Sequence, residues 1–154
     1  DMRSLRGAIE GPFDVVLSCD NSIAHLEPVE LPVALGEMGA LLCPGGHVLV
    51  SVRDYDALVA ERPRFMSPAA ATDGRTVAFQ LWDWAEDGSS YALRQFFLEE
   101  RGEGWETTCE HTHLHAHVEG TILGAFREAG LVDVRWHMPA ETGYYQPIVT
   151  GRCP

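Results

Sequence analysis

Lysine is missing altogether: the eleven basic residues are all arginines, set against 23 acidic ones for a net charge of -12. A chain this acidic repels phosphate backbones at long range. That argues against nucleic acid and anionic membranes as partners and makes a neutral or cationic small molecule easier to admit. The arginine-only basic set points to a GC-rich bacterial genome. No apolar run approaches the ~20 residues that span a bilayer. There is no basic-then-apolar leader either, so a protein outside the membrane and not secreted is expected. The four cysteines, Cys19, Cys43, Cys109 and Cys153, form no CxxC pair. Thiols so spread, without a leader, are expected reduced, as in the cytoplasm. Repeats and low-complexity tracts are absent too. The chain opens on Asp1 rather than methionine, as expected of a piece trimmed from something longer.

What is present is apolar residue enough, 45% of 154, for a packed globular core. Phe13-Asp14-Val15-Val16-Leu17-Ser18-Cys19 is a short apolar run with β-branched residues, bounded by Gly11-Pro12 and polar Asp20-Asn21. It predicts a strand buried on both faces, as in a parallel sheet. From Leu31 to Leu42 the apolar positions recur at helical spacing. Pro44-Gly45-Gly46 is expected to break that helix and lead into a second buried strand, His47–Val52. Strand, helix, Gly-rich turn, strand is a βαβ unit with a right-handed crossover.

Past Arg53-Asp54 the spacing predicts a short helix from Tyr55 to Glu61, ended by Arg62-Pro63. Three alternating segments, Arg75–Trp84, Ser90–Glu99 and Trp105–Val118, are separated by turn signals and predict an antiparallel three-stranded meander. Glu119 to Ala129 reads as a helix capped by Gly130. Val132–Met138 and Tyr144–Arg152 read as two closing strands. The expected fold is therefore α/β: residues 1–54 as a partial core, 55–118 as an inserted antiparallel flap, and 119–154 returning to the core. A strand as apolar as Phe13–Cys19 makes a poor open edge, because unpaired backbone beside bare apolar faces invites aggregation. It is expected to be paired and covered, by N-terminal βαβ repeats in the intact protein.

In open α/β sheets ligands bind beyond the carboxyl ends of the strands. Cys19-Asp20-Asn21-Ser22 and Arg53-Asp54-Tyr55 leave the two parallel strands there, so both polar groups should share one rim. Helix capping by Asn21 or Ser22 is the ordinary alternative at such a position.

At these residues the sequence resembles a class I S-adenosylmethionine-dependent methyltransferase. Asp1-Met2-Arg3-Ser4-Leu5 and then Phe13 to Leu26 look like the middle of that family's sheet. Leu41-Leu42-Cys43-Pro44-Gly45-Gly46-His47-Val48-Leu49-Val50 matches its L-x-P-G-G turn into a later strand. Asn21-Ser22-Ile23-Ala24-His25-Leu26 followed by Arg53-Asp54-Tyr55-Asp56 is most similar to the glycine/sarcosine N-methyltransferase group.

The resemblance implies the C-terminal part of a Rossmann-like methyltransferase sheet, with S-adenosylmethionine as cofactor. It also implies methyl transfer to a small molecule, an amine of a carboxylate-bearing compound. By it, Asp1 and Met2 hold the adenine, the Cys19 carbonyl holds the cofactor's amino group, and Asp20 and His25 line its methionine end. Asn21 and Asp20 become the catalytic pair, Asp20 able to take up the proton of an amine acceptor. Asn21, Arg53 and Tyr144 become the acceptor's contacts. A guanidinium fork suits a planar carboxylate; the alternative for Arg53 is an ion pair with Asp54, Asp56 or Glu61. Either N- or O-methylation of a natural-product scaffold is the competing acceptor chemistry, since fold does not decide it. A homo-oligomer is compatible with all of this.

The sequence also departs from the family. Its glycine loop and ribose-binding acid are absent, so this chain is expected to bind cofactor weakly and to be inactive alone. Cys19-Asp20-Asn21 stands where Leu-Gly-Asn is usual, and Phe79 falls near a lid tyrosine of glycine methyltransferases. Both changes argue against glycine itself as substrate.

Three further features invite function. His111, His113, His115 and His117 alternate along one expected strand and would share a face. A metal-binding module could be built on them, but no acidic third ligand stands at a telling distance, so no metal is expected. Gln80, Trp82 and Trp84 also alternate, more in keeping with sheet packing than with an amine cage. Tyr144-Tyr145-Gln146-Pro147 precedes the last strand at the rim of the site, where one tyrosine could reach a substrate.

Overall fold

The computed structural model describes residues 1–71 and 74–154; residues 72 and 73, inside the segment read as a flap, lie outside the described residues. In chain order the elements are β1 (Phe13–Ser18), α1 (Leu31–Ala40), β2 (Leu42–Ser51), α2 (Tyr55–Glu61), β3 (Phe65–Ala70), β4 (Thr76–Trp84), β5 (Ser90–Arg101), β6 (Gly104–His115), α3 (Glu119–Glu128), β7 (Val132–His137), α4 (Pro139–Thr142) and β8 (Ile148–Arg152). Two compact units divide them: Asp1–Asp56 with His117–Pro154, and Ala57–Ala116. Among the described residues no helix is long and apolar enough to cross a membrane.

The first unit is built on a four-stranded sheet of order β1-β2-β8-β7. β1 and β2 run parallel, joined through α1, and β8 runs antiparallel to both its neighbours. α1 packs on β1 and β2, α3 on β7, and the two helices touch, so both cover one face. Between helices and sheet, Val48, Val50 and Val149 of the strands and Ile122 and Phe126 of α3 are fully buried. Gly151 lets α3 come this close: a Cβ there would lie 2.7 Å from the Phe126 ring.

β1 differs from its expectation. It is an edge strand, and only one of its faces is covered, leaving Val15 49% and Leu17 60% exposed. The apolar run is therefore not a sign of burial on both faces within these residues. Pro44-Gly45-Gly46 also does not separate helix from strand. α1 has already ended at Ala40, and these residues form an irregularity inside β2, where pairing jumps from Phe13↔Leu42 to Val15↔His47. A side chain at Gly46 would meet the carbonyl oxygens of Asp14 and Cys43 at 3.0 Å each.

The N-terminal segment is clasped to α1 by Glu37, which is buried. Its carboxylate accepts the backbone N–H groups of Leu5 (2.9 Å) and Arg6 (3.1 Å) and the Arg6 Nε–H (2.7 Å). Hydrogen bonding from the Arg6 side chain, then from the Arg6 and Leu5 amides, outweighs desolvation and lowers the Glu37 pKa from 4.5 to about 2. A carboxyl held this low stabilises the fold above its ordinary value, and the contribution fades as pH falls from 4.5 through about 2. We expect the Leu5 and Arg6 amides to lose hydrogen-exchange protection over that acid window. Glu37→Gln should remove the pH dependence, and flat protection in the native chain between those limits would contradict the clasp.

The first unit closes on itself where the chain leaves and re-enters it. The Asp56 carboxylate accepts the Glu119 N–H at 2.8 Å, and His117, 1% exposed, places Nε2 3.0 Å from the Leu26 carbonyl oxygen. His117 thus lies beyond β6 and does not share a strand face with the other three histidines. The extended pattern of the sequence continues past the point where ladder pairing stops.

The second unit is a four-stranded antiparallel sheet, β3-β4-β5-β6. The strand beyond the three expected is β3, whose pairing with β4 shifts between Met66 and Ala69, around Pro68. Proline lacks the N–H that a regular ladder needs, which hides such an edge strand from pattern reading. Trp82 and Tyr91, both fully buried, stack at 4.4 Å on the face that also carries Trp84. The opposite face carries stacked Phe79 and Phe96 and the side chains of Cys109, His111 and His113.

Candidate functional site

The carboxyl ends of β1 and β2 are knitted together by their own backbones. Asp20 and Asn21 both adopt the left-handed region, φ 57° and 63°. Asp and Asn tolerate it better than other residues with a side chain. Ser51, the last residue of β2, holds that turn. Its hydroxyl accepts the Asp20 N–H (2.9 Å) and its carbonyl accepts the Asn21 N–H (3.2 Å). The loop before β8 joins the same rim, with the Val52 N–H donating to the Pro147 carbonyl at 3.1 Å.

Asn21 is 5% exposed, and its amide is spent within the protein. Nδ2–H donates to the hydroxyl of fully buried Tyr55 at 2.8 Å, and Oδ1 accepts the Arg53 N–H at 3.2 Å. It heads the single-turn helix Ser22–His25 but makes no side-chain cap to it. The Ser22 hydroxyl instead donates back to the Cys19 carbonyl at 2.6 Å, and the Ser22 N–H donates to the same oxygen at 3.3 Å.

Asp20 and Tyr144 also meet. Asp20 Oδ1 accepts the Tyr144 hydroxyl at 3.1 Å and the Tyr145 hydroxyl as well. The hydrogen bond to the Asp20 carboxylate, then desolvation, pushes the Tyr145 phenol well above its ordinary pKa, so it stays a donor. Sequence reasoning gave a site role to Tyr144, placed Tyr145 and Tyr55 at the rim without one, and missed Ser51. The available signal was the Tyr-Tyr pair ahead of Gln146-Pro147, whose reach across 125 positions no local pattern reports.

Met2 and Cys19 line a cavity of about 620 Å³ together with Leu5, Ile9, Val16 and Met38. The Met2 sulfur lies 3.7 Å from the Ser18 hydroxyl. Asp1 lies outside that lining, its carboxylate holding the Arg3 Nε–H at 2.9 Å, and His25 is exposed at the end of the single-turn helix. The structure thus groups Asn21 with Arg53, Asp20 with Tyr144, and Met2 with Cys19, along one end of the β1–β2 pair.

No protein-family model matches the chain, and no curated protein matches it. Solved structures do. The chain is similar to DesVI from Streptomyces venezuelae, with 21% identity and a TM-score of 0.78, covering 98% of this chain and 62% of that one. It is similar to an amino pentose methyltransferase of calicheamicin biosynthesis from Micromonospora echinaspora, solved with S-adenosylmethionine, with 17% identity, a TM-score of 0.73, and 100% and 63% covered. An S-adenosylmethionine-dependent methyltransferase from Clostridium acetobutylicum gives 15% identity, a TM-score of 0.72, and 99% and 61% covered. The fold is therefore the Rossmann-like α/β fold of these methyltransferases, and the chain spans about three fifths of their length.

Proposed function

We propose that this chain is the C-terminal part of an S-adenosylmethionine-dependent methyltransferase that methylates an amine of a small, carboxylate-bearing molecule. The observation that carries the reading is the Asn21–Arg53 hydrogen bond, which ties the ends of two parallel strands at the rim where open α/β sheets bind ligands. The bare edge and face of β1, and the greater length of the similar structures, support further strands on the β1 side.

The residues present fit part of the cofactor. The apolar and thioether lining of Met2, Leu5, Ile9 and Met38 suits a flat purine, and Asp1, next to Met2 in the chain, is the acceptor assigned to its exocyclic amine. The Cys19 carbonyl, the group the resemblance assigns to the cofactor's ammonium, already accepts the Ser22 hydroxyl and N–H, and Asp20 and His25 lie along the same turn. The sulfonium brings an already activated methyl group, so the chain's task is positioning and electrostatics. In this reading Arg53 grips the acceptor's carboxylate. Asn21, its amide committed to Tyr55 and Arg53, fixes where that arginine stands. Tyr144 presents Asp20 to the acceptor nitrogen, and Asp20 is the group able to receive its proton. The segment Ala57–Ala116 is assigned the acceptor-covering role.

Calorimetric titration of the full-length protein with S-adenosylhomocysteine is expected to show saturable binding. No heat at millimolar nucleoside would reject the reading. The comparisons favour a second acceptor, an amine on a sugar or other natural-product scaffold, because two similar structures are an amino pentose methyltransferase and a sugar N-methyltransferase. Among the described residues no group of three His, Cys, Asp or Glu stands close enough to share a metal ion.

A further inference from the structure

Asp20 presents two unlike oxygens. Oδ1 is taken by two phenol hydroxyls, whereas Oδ2 accepts nothing among the described residues. The rings of Tyr144 and Tyr145 stand 4.7 Å apart, tilted by 47°, and Tyr145 is 67% exposed. Such an arrangement is not explained by packing. An exposed ring gains little from burial, and ordering two side chains around a surface carboxylate costs conformational entropy that water would have spared. The backbone is committed as well, since Asp20 and Asn21 hold consecutive left-handed conformations that cluster at functional positions.

We propose that Asp20, Tyr144 and Tyr145 form a recognition site for an alkylammonium group. An ammonium N–H donates to Oδ2, and the tyrosine faces pack on the cation's alkyl substituents by cation–π attraction. The class of ligand follows from what the site offers. Both hydroxyls point their hydrogens at Asp20, so an anion finds no donor there. A strongly hydrated metal ion gains little from aromatic faces, whereas a partly methylated ammonium is soft, poorly hydrated and matched to them. The net charge of -12 further concentrates cations at the surface. The proposal extends the amine-methylation reading by assigning the acceptor's nitrogen a place, but the site is defined without the cofactor.

The test is an NMR titration of the full-length protein with dimethylammonium, and with 2-propanol as its uncharged counterpart, read on the ring protons of Tyr144 and Tyr145. Dimethylammonium is expected to shift both rings saturably and 2-propanol to leave them unmoved. Asp20→Asn should weaken binding by at least about tenfold, the loss of one charge-assisted hydrogen bond. Tyr145→Ala, at an exposed position that leaves the fold intact, should weaken it severalfold, and Tyr145→Phe less. Equal shifts with the alcohol, unsaturable shifts with the amine, or undiminished binding by Asp20→Asn would each overturn the proposal. Ammonium binding without S-adenosylhomocysteine binding would remove the methyl-transfer reading alone. The reverse would remove this one alone.

Discussion

Exchanging Asn21 for leucine is expected to destabilise the protein by about 3 kcal/mol, from lost buried hydrogen bonds and a left-handed backbone that leucine resists. The amide reaches from the end of β1 to Arg53 beyond β2, as the Ser51 hydroxyl reaches from β2 to Asp20. Without it the Arg53 N–H loses its acceptor, the buried Tyr55 hydroxyl loses a donor, and φ 63° is left to a residue poorly suited to it. Asn21→Asp is the informative companion. It tolerates the same backbone and still accepts from Arg53, while the Tyr55 hydroxyl can turn to donate. We expect urea denaturation to place the aspartate variant much nearer the native protein than the leucine variant. Equal losses, or a leucine variant within about 0.5 kcal/mol of native, the range of an ordinary surface change, would show that the seam between β1 and β2 does not depend on this amide.

Arg53→Ala is expected to raise KM for a carboxylate-bearing amine about tenfold to a hundredfold, the worth of a bidentate charge-assisted contact. The corresponding carboxamide should be little affected. The pair of substrates matters more than the size of either effect. If the acceptor amine sits on a sugar, neither measurement should move much, and the carboxylate half of the proposed function fails while methyl transfer stands. If the amide suffers as much as the acid, Arg53 serves the structure of the rim and not recognition of charge.

The parallel βαβ unit was legible because its signals are local. An apolar β-branched run, a helical stripe from Leu31 to Met38 and a second such run leave few arrangements open. That topology alone brings Asn21 and Arg53 to one rim, so their meeting could be foreseen from two short motifs. What could not be foreseen was chemistry that depends on side-chain direction. The inward turn of Asn21 toward Tyr55 and the convergence of Tyr144 and Tyr145 on Asp20 join residues 34 to 125 positions apart. Element ends were blurred for a different reason. Alternation continues through His117 although ladder pairing ends at His115, and β3 is masked by Pro68. Glycine misled once: Gly45-Gly46 reads as a stop, yet it serves an irregularity within β2 that lets the strand resume beside β1.

The chain departs from the first unit at Asp56 and re-enters at His117, and the Asp56 carboxylate bonds the Glu119 amide across that doorway. A segment of sixty residues, Ala57–Ala116, is thus strung from a base whose two posts stand one hydrogen bond apart. Loop-closure entropy changes slowly with length, so a base this narrow places almost no demand on what hangs from it. Evolution could exchange the whole inserted sheet for a shorter or longer one without rewriting the core, and a laboratory graft at the same two posts has the same freedom.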